Sequence, residues 1–93
     1  MGWQRLWVVY TNFSLYFFKR TNDDHSLASL PIIGYKISPA NKETDNVTKD
    51  YVFKLQFKAH VYFFAADSEY SFNRWISSIR NTSMGDGRVN VVL

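Results

Sequence analysis

The stretch that decides the fold is residues 50–81, DYVFKLQFKAHVYFFAADSEYSFNRWISSIRN. Apolar side chains occupy every second position from Tyr51 to Phe57, and mostly polar ones fill the positions between them. A period of two is typical of a β-strand with one buried face. Lys58 and Ala59 form the turn, and residues 60–65 form the returning strand. The first half of the stretch therefore predicts a β-hairpin.

The spacing of apolar residues changes in the second half of the stretch. Apolar residues now fall at i, i+3, i+4 and i+7, namely Phe72, Trp75, Ile76 and Ile79. These positions form one stripe of an amphipathic helix, which we place from about Ser68 to about Asn81. Asp67 or Ser68 can supply the N-cap oxygen. We expect the stripe to be structural, with Trp75 buried across an open end of the sheets and its indole N–H bonded to a carbonyl.

Four more strands are predicted upstream, at residues 5–10, 15–19, 27–33 and 35–38. The first two flank a short turn centred on Asn12, and Pro31 marks the third as an edge strand. Residues 40–49 are polar and read as an exposed loop. Six strands followed by one helix predict a mainly β domain, in which two packed antiparallel sheets are closed at one end by the helix.

The composition limits the class of protein. The 93 residues suffice for one domain, and 18% of them are aromatic, which suits a small core filled by rings. The chain has no cysteine, so disulfides and thiolate metal sites are excluded. We find neither a signal peptide nor an apolar run of membrane-spanning length, and we predict a cytoplasmic protein or one at the cytosolic face of the plasma membrane. The net charge of +3 permits contact with an anionic surface.

No group of residues predicts catalysis. His25 lies in an acidic loop and His60 at a hairpin turn, and neither has the spacing of a catalytic triad or a metal site. Gly85 and Gly87 are not framed by a strand and a helix, as a phosphate-binding loop requires. We therefore predict no catalytic residue, no metal and no cofactor. Nucleic-acid binding is disfavoured, because most aromatic residues follow strand or helix periodicity and belong in a core.

Four segments carry a resemblance to a known family: GWQRLWVVYTNFSLYFFK, LASLPIIGY, KDYVFKLQFKAHVYFF and SEYSFNRWISSI. Together with six strands and a helix bearing one tryptophan, they resemble the C-terminal pleckstrin-homology (PH) domain of the FARP proteins. Those proteins are FERM-containing exchange factors for Rho-family GTPases. The third segment is the most specific. The resemblance implies a PH-like barrel over residues 1–83 whose first strand is missing, followed by a tail over residues 84–93.

The tail has two alternative interpretations. Arg88, Asn90 and Val92 alternate with Val89, Val91 and Leu93, so the tail can form a strand with one apolar face. Such a strand would fill the vacant position beside residues 5–10, whose edge would otherwise expose unpaired backbone groups. Alternatively, the tail is a disordered terminus. The sequence leaves both open.

The resemblance implies a function in binding and regulation. PH domains of FARP-like exchange factors pack on the exchange domain and limit GTPase access to it, so the implied partners are that domain and, indirectly, a Rho-family GTPase. Aromatic residues on outward strand faces would suit such an interface. The candidates are Trp3, Trp7, Tyr16, Phe18, Tyr62 and Phe64, of which half must line the core.

Lipid binding is the alternative function. PH domains that bind inositol phosphates resemble one another in a lysine late in the first strand and a basic-x-Arg triplet that begins the second. Here Gln4 and Leu6 stand at the triplet positions, and Arg5 between them faces the other way, so we predict no tight headgroup binding. Weak, nonspecific contact with acidic lipids would use the remaining basic residues, which are Arg5, Lys19, Arg20, Lys58 and His60.

Overall fold

The computed structural model describes residues 2–81 and the backbone of residues 87–92. The elements are β1 (Arg5–Thr11), β2 (Ser14–Phe18), β3 (Ala28–Pro31), β4 (Lys36–Pro39), β5 (Val52–Phe57), β6 (His60–Ala66), α1 (Glu69–Arg80) and β7 (Gly87–Val92). The strands and the helix that the sequence predicts over residues 5–81 are present, with boundaries that differ by one to two residues in most cases.

The strands are antiparallel and follow the order β3-β2-β1-β7-β6-β5-β4. Strands β1 to β3 form one three-stranded sheet, and β4 to β6 form a second. Both edge strands, β3 and β4, end in a proline, which cannot donate to a further strand. The predicted architecture of two antiparallel sheets with a C-terminal helix is confirmed, and it is that of a PH-like fold.

Strand β7 joins the two sheets. Its backbone pairs with β1 in six positions, from Arg5↔Val92 to Tyr10↔Gly87. It also pairs with the end of β6, where Ala65 lies opposite Val92 and Ala66 opposite Val91. The backbone of residues 87–92 is paired in this way, and the interpretation of the whole tail over residues 84–93 stays a prediction. The predicted boundary between domain and tail, after residue 83, lies outside the described residues and stays a prediction.

Two hairpin turns use left-handed backbone at residues other than glycine. Asn12 and Phe13, between β1 and β2, have φ values of 52° and 59°, and Lys58, between β5 and β6, has φ of 54°. Positive φ in a tight turn matches the right-handed twist of the paired strands. Asparagine tolerates this conformation, whereas phenylalanine and lysine adopt it at a cost. Gly34 has φ of 92°, and a Cβ atom there would lie 3.2 Å from the Phe57 ring.

The core is a row of aromatic rings that connects the helix to both sheets. The Trp75 ring of α1 stacks on Phe53 at 6.4 Å, Phe53 on Phe64 at 5.3 Å, and Phe64 on Phe17 of β2 at 6.1 Å. Inward-facing residues of β1, including Tyr10, complete this core. The ring row explains why the helix and the two sheets form one unit.

The helix begins as the sequence predicts. Ser68 is the N-cap, and its Oγ accepts a hydrogen bond of 3.1 Å from the backbone N–H of Ser71. Trp75, Ile76 and Ile79 are buried, and Phe72 is half-buried against the core. The predicted hydrogen bond from the Trp75 indole N–H to a carbonyl group is wrong. Within the described residues, the indole Nε1 of Trp75 has no hydrogen-bond partner, because its ring is surrounded by apolar side chains.

The loop between β4 and β5 is not simply exposed. Its Val47 is buried against Val52 and Ala65 on the outer face of the second sheet, and Trp3 packs against the same cluster. An ion pair fixes the loop, with Lys54 Nζ 3.0 Å from Asp45 Oδ1. The polar composition of residues 40–49 concealed this role, because one apolar residue is enough to anchor the loop.

Candidate functional site

The outer face of β1 and β2 is aromatic. Alternation buries Leu6, Val8 and Tyr10 of β1 and turns Trp7 and Val9 outward. Trp7 lies opposite Phe18 of β2, and Val9 lies opposite Tyr16. We call the surface formed by Trp7, Val9, Tyr16 and Phe18 the β1–β2 face. Trp7 is 36% exposed, and Val9, Tyr16 and Phe18 are half-buried.

The two sheets differ in how their outer faces are covered. On the second sheet, the outward apolar residues Val52 and Ala65 are buried beneath Val47 and Trp3. No residue of the β1–β2 face belongs to a buried cluster in the described part of the chain. A one-sided antiparallel sheet ordinarily presents polar side chains to water. The β1–β2 face is therefore a partly exposed apolar surface, and such surfaces can mark an interaction site.

A cavity of about 260 Å³ opens beside this face. It is lined by Trp7, Val8, Val9, Phe18, Thr21 and Asp23. Asp23 belongs to the loop after β2, where its Oδ2 accepts a hydrogen bond of 3.1 Å from the backbone N–H of Arg20. One acidic residue and two aromatic residues thus line the same cavity.

A second, larger cleft contains the two triplet positions. Leu6 is buried and Gln4 is exposed, and both line a cleft of about 380 Å³. The other lining residues are Phe17, Leu27, Ala28, Ser29, Leu30, Tyr62 and Phe64. None of the nine is charged, so the cleft offers no cation to a phosphate group.

The predicted basic residues are spread over several segments. Arg5 pairs with Asp67, with Nη2 3.3 Å from Oδ1, and both side chains are exposed. Lys19 and Arg20 lie in the exposed loop after β2, and Lys58 lies over the Phe57 ring at 5.3 Å, with His60 exposed beyond the turn. Over residues 2–81, no hydrogen bond or ring contact joins one of these five side chains to another. The weak lipid patch stays a prediction.

The remaining aromatic candidates lie elsewhere. Phe64 is only 1% exposed and lies opposite Phe53 on the inner face of the sheet, so it is a candidate that lines the core. Tyr62 is partly exposed beside Tyr35, with ring centroids 6.2 Å apart. Trp3 is half-buried in the small cluster on the second sheet, with Lys49 Nζ 6.0 Å from its ring. Only Trp7, Tyr16 and Phe18 share one outer face.

Hydrogen bonding lowers the pKa of the Asp45 carboxyl group. Asp45 Oδ2 accepts a hydrogen bond of 2.7 Å from the backbone N–H of Asn41, and both carboxylate oxygens contact the Lys54 ammonium group. The hydrogen bond from Asn41, with the one from Lys54, lowers the pKa of Asp45 below its ordinary value. This contact holds the covering loop of the second sheet in place.

Two kinds of site are not found in the part of the chain that the structure describes. No three His, Cys, Asp or Glu side chains are grouped to hold a metal ion there. No helix among residues 2–81 is long and apolar enough to cross a membrane. Neither the outer faces nor the clefts described above contain a catalytic grouping that the sequence reasoning missed.

Comparison with known proteins agrees with this geometry. The PH domain family matches residues 1–84. The chain belongs to the PH domain family. It is 58% identical over 87 residues, or 94% of its length, to mouse "FERM, ARHGEF and pleckstrin domain-containing protein 2". It is 55% identical over 82 residues, or 88% of its length, to chicken "FERM, ARHGEF and pleckstrin domain-containing protein 1". The resemblance of this PH domain to the FARP proteins is confirmed.

A more distant relative is also named for a RhoGEF region and a PH domain. Human "FYVE, RhoGEF and PH domain-containing protein 5" is 28% identical over 82 residues, which are 88% of this chain and 6% of that protein. The chain spans 8% of the length of the mouse and chicken relatives. The comparisons therefore concern this PH domain alone, not the rest of those proteins.

Proposed function

We propose that this PH domain is a non-catalytic, protein-binding module of a Rho-family guanine-nucleotide exchange factor. In this proposal it packs on the exchange domain through the β1–β2 face, restrains access of the GTPase, and acts in the cytoplasm. The observation that carries the proposal is the partly exposed aromatic surface around Trp7. The exchange activity itself belongs to another part of such a protein.

The chemistry of the face supports protein binding. Tryptophan and tyrosine are enriched at the centres of protein interfaces, where they bury a large area at a small cost in conformational entropy. Trp7 and Phe18 are neighbours across two strands, so they form one continuous apolar surface on a rigid element. On the second sheet, Val47 and Trp3 pack over Val52 and Ala65, whereas no such cluster includes a residue of the β1–β2 face within residues 2–81.

The relatives support the choice of partner. The mouse and chicken relatives are named for FERM and ARHGEF regions in addition to a pleckstrin domain. An exchange domain in the same polypeptide would be present at a high effective concentration, so a modest interface would suffice to hold it.

A nucleotide-exchange assay tests the proposal. The full 93-residue chain is added to the isolated exchange domain of the mouse relative, and GDP release is followed on a panel of Rho-family GTPases. We expect the chain to slow GDP release in a saturable manner. Unchanged release at concentrations well above micromolar, together with no detectable binding, would overturn the proposal.

A liposome assay separates the proposal from its alternative, weak contact with acidic lipids. Binding is measured with and without phosphoinositides over a salt series. We expect at most weak binding that falls with salt and does not depend on the headgroup, because the cleft at Gln4 and Leu6 has no charged residue. Tight, headgroup-selective binding would favour a lipid-recognition function instead.

A further inference from the structure

We propose that the cavity beside Trp7 binds one arginine side chain of the protein that packs on the β1–β2 face. This inference rests on the proposed function, because it names the chemistry of the partner at that face. The cavity has a volume of about 260 Å³ and is lined by two aromatic residues and one acidic residue, Asp23.

The aromatic lining suits the stem and the plane of an arginine. Trp7 and Phe18 lie opposite each other on β1 and β2, and Val9 extends the apolar surface along β1. The methylene groups of arginine pack on such a surface while the charged end stays free to bond. The flat guanidinium group also stacks on aromatic rings, with tryptophan as the best partner.

The carboxylate of Asp23 supplies the charge. It is half-buried at the cavity, and the hydrogen bond from the Arg20 backbone N–H fixes its position. No Lys, Arg or His side chain of residues 2–81 forms an ion pair with it. Lys19 and Arg20 of the same loop are exposed. Within residues 2–81, the hydrogen bond from Arg20 is the one side-chain contact of this carboxylate, which leaves lone pairs that can accept from a cation.

Arginine fits this combination better than the alternatives. A leucine or phenylalanine in the cavity would displace water from the Asp23 carboxylate without replacing the hydrogen bonds of that water. Such desolvation of a charged group costs free energy. Lysine would supply the charge, but its ammonium group is strongly hydrated and bonds as a point charge. Arginine offers several N–H donors to the carboxylate and a weakly hydrated plane to the rings.

A titration with a small probe tests the site directly. N-acetyl-arginine amide is added to the full chain, and NMR follows the Trp7 indole N–H and the backbone amides of Thr21 and Asp23. The neutral citrulline analogue, which has nearly the same shape, is the ligand control. We expect saturable shifts with arginine and less than a fifth of those shifts with citrulline.

Matched variants distinguish binding at the cavity from nonspecific attraction of the cationic probe to the acidic loop. Asp23→Asn keeps an oxygen that can accept from Arg20 but removes the charge, and we expect it to abolish the saturable shifts. Asp24→Asn makes the same change of charge at an exposed neighbour that does not line the cavity. We expect its chemical shift changes with arginine to stay within twofold of those of the unchanged chain. Equal shifts with citrulline, or unchanged binding by Asp23→Asn, would overturn the proposal.

Binding to the exchange domain distinguishes failure of this site from failure of the proposed function. If that domain binds the unchanged chain and Asp23→Asn equally well, the arginine site is wrong and the proposed function stands. If the arginine probe binds as expected but the exchange domain does not bind at all, the site stands and the proposed function is wrong. We expect Asp23→Asn to weaken binding of the exchange domain at least fivefold.

Discussion

At the scale of single residues, the aromatic rings decide both the stability and the surface chemistry of this domain. Alternation along one strand sends Tyr10 into the core and Trp7 outward, three positions apart. Trp75 is 2% exposed and ends the row of rings that crosses the core. The same residue type therefore serves the core at one position and the surface at another, and only its place in the strand or helix separates the two roles.

Replacing Trp75 should destabilise the domain strongly. Trp75→Ala removes a buried ring that stacks on Phe53, and we expect a loss of roughly 3–5 kcal/mol in the free energy of unfolding. Tyr70→Ala on the same helix is the control. Because Tyr70 is 71% exposed, its replacement should lower the free energy of unfolding by only about 0.5 kcal/mol. Urea unfolding followed by circular dichroism measures both. Equal stability of the two variants would contradict the placement of the helix.

The turn between β5 and β6 offers a test of backbone strain. Lys58 has φ of 54°, a conformation that glycine adopts freely and other residues adopt at a cost of about 1 kcal/mol. Lys58→Gly and Lys58→Ala both remove the ammonium group from the Phe57 ring, so their difference isolates the backbone. We expect the glycine variant to be more stable than the alanine variant by about 1 kcal/mol in thermal unfolding. The reverse order would show that the turn is not left-handed there.

Asp45 should make stability depend on pH in the acid range. Its folded pKa lies below the ordinary value, so its contribution is fully present above the unfolded pKa of about 3.9 and is lost as pH falls through the folded pKa. We expect Asp45→Asn to lower the melting temperature at pH 7 and the difference from the unchanged chain to shrink below about pH 4. Glu43→Gln, in the same exposed loop, should show no such pH dependence. A pH-independent difference for Asp45→Asn would contradict the role of its charge.

At the scale of the elements, periodicity accounts for most of the fold. Period-two alternation located the β5–β6 hairpin, and the i, i+3, i+4, i+7 stripe located α1, because each pattern follows from the geometry of one local element. Strand β7 illustrates the limit of this reasoning. Its alternation allowed a strand, but whether it pairs with β1 depends on residues about 80 positions apart, which local pattern cannot decide.

Hydrogen exchange tests the pairing of β7. The backbone register of Gly87–Val92 with β1 places Val89 opposite Val8, and amides bonded across this pair of strands should exchange at least about a hundredfold more slowly than in an unfolded chain. Val89→Pro should abolish this protection, because proline removes a donor and breaks the strand. Random-coil exchange rates over residues 87–92 of the unchanged chain would contradict the observed sheet order.

At the scale of the whole molecule, the two sheets have different outer faces. The loop of residues 40–49 folds back over the second sheet through Val47, whereas the β1–β2 face stays partly exposed. The sequence identified Trp7, Tyr16 and Phe18 among six aromatic candidates but could not separate them from Phe64, since alternation does not state which face is inward. The cavity with Asp23 was also beyond sequence reasoning, because a loop and two strands assemble it.

The central claim is that the β1–β2 face binds the exchange domain. Isothermal titration calorimetry with the isolated exchange domain of the mouse relative tests it on three chains: unchanged, Trp7→Ala and Tyr70→Ala. We expect Trp7→Ala to weaken binding by at least about tenfold, as loss of an interface anchor does. Tyr70→Ala, an exposed aromatic residue on the helix, should bind within twofold of the unchanged chain. Equal affinity of Trp7→Ala and the unchanged chain, with both folded, would contradict the claim.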